Sequence, residues 1–132
     1  MKRFILIFSS LMIVSFSFSQ TQTEMNEDAE NKFNKTEKEL NTIYNKVLLE
    51  YKADTIFIKH LKKSQMLWKE LRDAEAELKY PDTLNGRYST PYITCRFSYE
   101  EKITQERISV LKEWIDGVKE WKECDGPLKV KQ

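Results

Sequence analysis

Residues that break helices are scarce in this chain. Its 132 residues include three glycines, Gly86, Gly117 and Gly126, and three prolines, Pro81, Pro91 and Pro127. Long segments therefore run without interruption, and no strand pattern of useful length appears among them. Chemistry-bearing residues are just as sparse. The single histidine, His60, stands in the run Lys59-His60-Leu61-Lys62-Lys63. No cysteine or acid surrounds it at metal-ligand spacing, so it reads as a surface helix residue and no metal is expected. No glycine loop is suited to cradling a phosphate, and no serine sits in a nucleophile elbow. Acid pairs such as Asp73 with Glu77 occur on any highly charged helix. Glycoside chemistry needs two carboxylates fixed across a cleft, which a slim helical domain rarely forms. These absences argue against an enzyme and against a bound cofactor. An excess of one charge is missing too, with 22 basic against 21 acidic residues. Signs this finely mixed give no electrostatic footprint for nucleic acid.

The first twenty residues differ from the rest. Lys2 and Arg3 precede a stretch from Phe4 to Phe18 that holds no acid and is interrupted by Ser9, Ser10, Ser15 and Ser17. A cationic start, a short apolar region and then small residues form the layout of a secretory signal. Ser17 and Ser19 fit the −3 and −1 positions of a cut before Gln20. The stretch is shorter than the roughly 20 apolar residues of a membrane span, so none is expected after cleavage. Residues 1–19 thus read as a signal peptide, 20–126 as one domain and 127–132 as a tail. Without Lys2 and Arg3 the balance is 20 basic against 21 acidic. The expected destination is outside the cytoplasm, secreted or periplasmic.

The domain's apolar spacing is helical. Met25, Ala29, Phe33, Leu40, Tyr44, Val47 and Tyr51 fall at steps that are sums of threes and fours, which predicts a helix from about Glu24 to Tyr51. Asp54 is a natural N-cap for a second helix, along which Phe57, Leu61, Ser64, Trp68, Leu71, Glu75 and Leu78 share a side. That helix should stop before Pro81. Ser98 with Glu101 has the form of a capping box opening a third helix. Ile103, Arg107, Val110, Leu111, Trp114, Val118 and Trp121 continue it, and Gly117 is where it would bend or end early. Tyr80 to Phe97, with Asn85-Gly86 inside it and a brief extended stretch open to Tyr92 to Thr94, is the one long irregular segment. The expected fold class is all-α, an antiparallel three-helix bundle with a long loop between helices 2 and 3.

Two cysteines in an exported protein usually pair. Cys95 precedes the third helix and Cys124 follows it, and a helix from Ser98 to Trp121 would be about 36 Å long. A disulfide needs Cα atoms within about 7 Å. Either the helix ends near Gly117 and the chain folds back, or the thiols stay apart, and the length favours the latter. The densest stretch runs from Ser64 to Glu75. There Arg72 lies one turn beyond Trp68, so its guanidinium can rest on the indole, and Gln65 and Glu75 share much of that face. Such a set serves either as a semi-buried network fixing helix register or as exposed binding anchors.

The same stretch carries a resemblance. Gln65, Trp68 and Arg72-Asp73-Ala74-Glu75 resemble the signature helix of the LprI-like lysozyme-inhibitor domain family of bacterial envelope proteins. Thr23-Glu24-Met25-Asn26, Lys38-Glu39-Leu40-Asn41 and Tyr44 look like that family's first helix. Gly86, Tyr88, Cys95 and then Glu101, Thr104 and Arg107 follow its order downstream. The likeness covers roughly Thr21 to Asp125. It departs where the family commonly has further cysteines, since Asp28 and Ala76 occupy those positions here, and Ala76 would stand where the usual partner of Cys95 belongs. The lipid-anchoring cysteine of the namesake is also missing. The resemblance implies a non-catalytic domain that binds a protein, a lysozyme in the family's name, and occludes it. An envelope structural or interaction module is the alternative. Candidate motif or contact residues are Gln65, Trp68, Arg72, Asp73 and Glu75 on the second helix, and Arg87, Tyr88 and Tyr92 in the loop.

Overall fold

A computed structural model describes residues 2–81 and 91–131, with side chains from residue 21 onward. The fold is all-α. Helix α1 spans Lys2–Glu50, α2 Thr55–Lys79 and α3 Pro91–Asp116, and a short 3-10 turn follows at Glu123–Asp125. Among the described residues no helix is long and apolar enough to cross a membrane.

Consecutive helices are antiparallel, so α1 and α3 run the same way. Gln22 of α1 donates to Thr94 near the start of α3 (3.2 Å), Gln105 donates to Thr36 midway (3.2 Å), and the Tyr51 hydroxyl reaches the Trp114 carbonyl beyond the far end (3.1 Å). These two helices pack closely along their length, whereas α2 approaches at fewer points and reaches across with long side chains. At one end Leu40, Ile43, Val47, Tyr51, Leu61, Ile108 and Leu111 form the buried core. Tyr51 stacks on Phe57 at 4.3 Å, and Phe57 meets Trp114 at 4.9 Å. Burial of these stripes on one another supplies most of the stability, because isolated helices are marginal in water.

The Asp54 cap forms as expected, its carboxylate accepting the Phe57 amide at 2.9 Å. Elsewhere the boundaries shift. The first helix extends upstream of Glu24. The third begins at Pro91, seven residues before Ser98, so Tyr92 to Thr94 are helical rather than extended, and Pro91 to Phe97 belong to the helix. Proline suits a first helical turn, where its missing N–H has no partner to lose. The added turns dock on α1, with Phe97 5.9 Å from Phe33. Helix α3 stops at Asp116 and does not run on to Trp121. Gly117 adopts φ +63°, and a Cβ there would lie 2.3 Å from the Lys129 carbonyl oxygen. The chain folds back so that Val118 bridges Val130, and Lys129 donates its backbone N–H to the Tyr51 hydroxyl (3.3 Å). Even so, Cys95 and Cys124 are both exposed and free.

The face that α2 buries also differs from expectation. Leu61, Gln65, Arg72 and Ala76 are its buried positions, while Leu71 and Leu78 stand out in solvent. Two of the four buried side chains are polar, which an apolar pattern passes over.

Candidate functional site

Above the apolar core the bundle carries a polar layer, and Trp68 is its central plate. Two guanidinium groups lie on the indole, Arg72 at 5.2 Å and Arg107 at 5.7 Å from the ring centroid. Helical spacing puts Arg72 one turn along α2 from Trp68, whereas Arg107 reaches over from α3.

Arg72 is 7% exposed and densely partnered. It pairs with Glu37 of α1, donates from Nε to Asp73 (2.8 Å) and from Nη1 to Thr104 of α3 (3.3 Å), and covers the Phe33 ring at 5.4 Å. Burial alone would depress its proton affinity. Asp73 and Glu37 more than offset that, so the guanidinium is held above its ordinary pKa. One side chain thereby joins all three helices. Lys69 adds a second, longer pairing to Glu37 at 3.8 Å.

Arg107 is half-buried, and among the described residues no acid pairs with it. Its Nε donates to Gln65 Oε1 (3.0 Å) and its Nη2 to Ser64 Oγ (3.1 Å). Burial pulls its pKa below the ordinary arginine value. Gln65, only 6% exposed, leaves its Nε2 buried without an acceptor. Glu100, also buried, has its carboxyl pushed above the ordinary value by burial, with Arg96 opposing the shift from 3.5 Å.

Of the expected residues, the structure brings together Gln65, Trp68, Arg72 and Asp73. Glu75 forms no hydrogen bond or ion pair with Arg72; it is exposed and accepts the Tyr99 hydroxyl at 3.3 Å. Tyr92 sits on the first turn of α3 rather than in a loop, edge-on to Tyr80 at 5.3 Å. Arg87 and Tyr88 lie outside the described residues. Sequence reasoning missed Glu37, which is one glutamate among many on α1 and carries no distinguishing signal. It also left Arg107 out of the site. A cation interrupting the apolar series Ile103, Val110, Leu111 and Trp114 was the available clue.

Two adjacent hollows, which share Arg107 and Val110 in their walls, open between α2 and α3. One, of about 240 Å³, is bounded by Trp68, Leu71, Ile103 and Val110, with Glu75 and Glu106 on its wall. The other, about 330 Å³, is walled by Phe57, Leu61, Leu111 and Trp114, with His60 and Ser64 at its edge. Arg107 lines both. Among the described residues no cluster of histidine, cysteine or acid could hold a metal.

Comparisons with curated proteins and with solved structures found no match. The family comparison did find one, over residues 17–111, which takes in α2, most of α3 and both arginines. On that match, which spans well over half of its length, the chain belongs to the family described as lysozyme inhibitor LprI.

Proposed function

We propose that the protein is an exported, non-catalytic binding domain that recognises a lysozyme-type enzyme and blocks access to its glycan cleft. Residues 1–19 act as the export signal in this reading, and the folded domain works in the periplasm or outside the cell. The observation that carries it is the family match across the polar layer. Fold alone transfers function poorly, so the domain's own surface must supply the contact. Arg72 is committed to holding the helices together and is poorly placed to leave them. The segment carrying Arg87 and Tyr88, with Tyr92 at its end, and the open α2–α3 side are the better contact surfaces. A domain charge near neutral gives little long-range steering toward a basic enzyme, so recognition rests on short-range fit.

The test is a cell-wall lysis assay in which purified protein is added to lysozyme. Lysis should slow with increasing protein until it plateaus. Unchanged lysis at high micromolar protein would remove the lysozyme target and favour an interaction module of the envelope.

A further inference from the structure

Arg107 has more hydrogen-bond donors than the protein has acceptors to meet them. A guanidinium carries five N–H groups. One of them meets Gln65 and one Ser64. Among the described residues the other three have no hydrogen-bond partner, and none of these residues places a carboxylate within ion-pair distance. The group behind it repeats the imbalance, since Gln65 spends its oxygen on Arg107 and keeps a buried, unmatched amide N–H₂. A half-buried cation without a counter-charge is costly. Planar acceptors that take two parallel N–H bonds suit arginine best, which points to a carboxylate.

The surroundings specify what carries it. Arg107 stands where the two hollows meet. The hollow that Trp68 bounds is also lined by the acids Glu75 and Glu106 and by Arg72, whose charge Glu37 and Asp73 already meet, whereas no acid lines the one beside Trp114, so a carboxylate meets least repulsion on the Trp114 side of the guanidinium. Apolar walls continue to both sides, Leu71 and Ile103 in one hollow, Phe57 and Leu111 in the other. A compact acid would fill only one hollow. An extended chain presents alternate residues on one face, so an acid with apolar residues two positions either side could place all three.

We propose that the α2–α3 cleft holds an extended segment of the partner protein in which an acidic side chain on Arg107 is flanked by apolar side chains seated in the two hollows. This rests on the protein-binding reading above and specifies where the partner is gripped.

The probe is the capped peptide acetyl-Leu-Ser-Glu-Ser-Leu-amide, titrated into ¹⁵N-labelled protein and followed at the Arg107 Nε–H and Trp114 indole N–H signals. Saturable shifts at both are expected, with the glutamine version of the peptide binding at least about tenfold more weakly. Arg107→Gln should erase that preference while the protein keeps its melting temperature. Equal binding of the two peptides overturns the proposal, and needs no variant to fold. Binding of 4-methylpentanoate as tight as the peptide also overturns it, by making the cleft a site for small apolar acids. The two readings separate cleanly in the lysis assay. Normal inhibition by Arg107→Gln would sink the cleft as the grip and leave the lysozyme reading standing. Peptide binding by a protein that never slows lysis would do the reverse.

Discussion

Trp68 divides two seams that contain the same functional group and treat it in opposite ways. On the side facing α1, Arg72 has Glu37, Asp73, Thr104 and the Phe33 ring around it, and its positive charge is favoured despite burial. On the side facing α3, Arg107 rests on the same indole but meets only the neutral Gln65 and Ser64, and burial works against its charge. A buried charge with its partners supplied in the fold acts as a clamp. One lacking them is either a defect or a place where something else supplies the partner. Only the second kind is expected to persist at an open cleft.

The largest test of this contrast is Arg72→Ala. It leaves the Glu37 carboxylate, 22% exposed, with only the longer Lys69 pairing and unties three helices, so a loss of about 3 kcal/mol is expected. In a domain of this size that lowers the melting temperature by about 10 °C or more. A melt matching the parent would show that the Arg72 seam does not hold the bundle. Trp68→Ala comes next, because it removes the plate under both guanidinium groups. Full burial would make the loss about 3–5 kcal/mol, and a half-buried indole should lose about 2–3. Calorimetry of the two single variants and the double variant would show a sum well short of additive, since they share contacts.

The helical layout was legible in the sequence because apolar residues at steps of three and four leave few alternatives. The Asp54 cap was legible for the same reason, being a local rule with a local partner. Helix α3 was misplaced at its start because Tyr92 to Cys95 are poor helix formers individually, and what holds this end helical is docking on Phe33, Asn26 and Gln22 some seventy positions away. The buried face of α2 was misjudged because Gln65 and Arg72 are polar, and a pattern of greasy residues points to Leu71 and Leu78 instead. Within the site, the Trp68–Arg72 stacking could be read from spacing. The pairing with Glu37 could not, since it depends on which of many α1 glutamates the packing angle brings across.

Glu100 offers a pH-dependent comparison within the Arg72 seam. Its carboxyl is buried and its pKa sits above the ordinary 4.5, against the pull of Arg96 and Arg72. The folded state therefore binds that proton more readily than the unfolded chain does. The stability this contributes is complete below about pH 4.5 and is lost as pH rises through the raised value. Glu100→Gln is permanently neutral and should melt like the parent near pH 4, then increasingly above it toward pH 8. A gap that shrinks or reverses with rising pH would mean that the pairing with Arg96 outweighs burial, and that this seam satisfies all its charges.

Arg107→Met should have the smallest effect on stability, and it carries the comparison. Methionine keeps much of the apolar stem that lies on Trp68 and removes a charge that has no counter-ion to lose. Against this, Gln65 Oε1 loses its donor, at a cost of about 1 kcal/mol. The two nearly cancel, so chemical denaturation should place the variant within about 1 kcal/mol of the parent, with an unchanged m-value. The same replacement at Arg72 should cost several times as much, because Glu37 keeps only the longer Lys69 pairing and the tie to Thr104 is lost with it. If Arg107→Met instead destabilised the protein as strongly as Arg72→Met, the two seams would be equivalent clamps. The open donors of Arg107 would then belong to the architecture, and the cleft would have no charge to offer a partner.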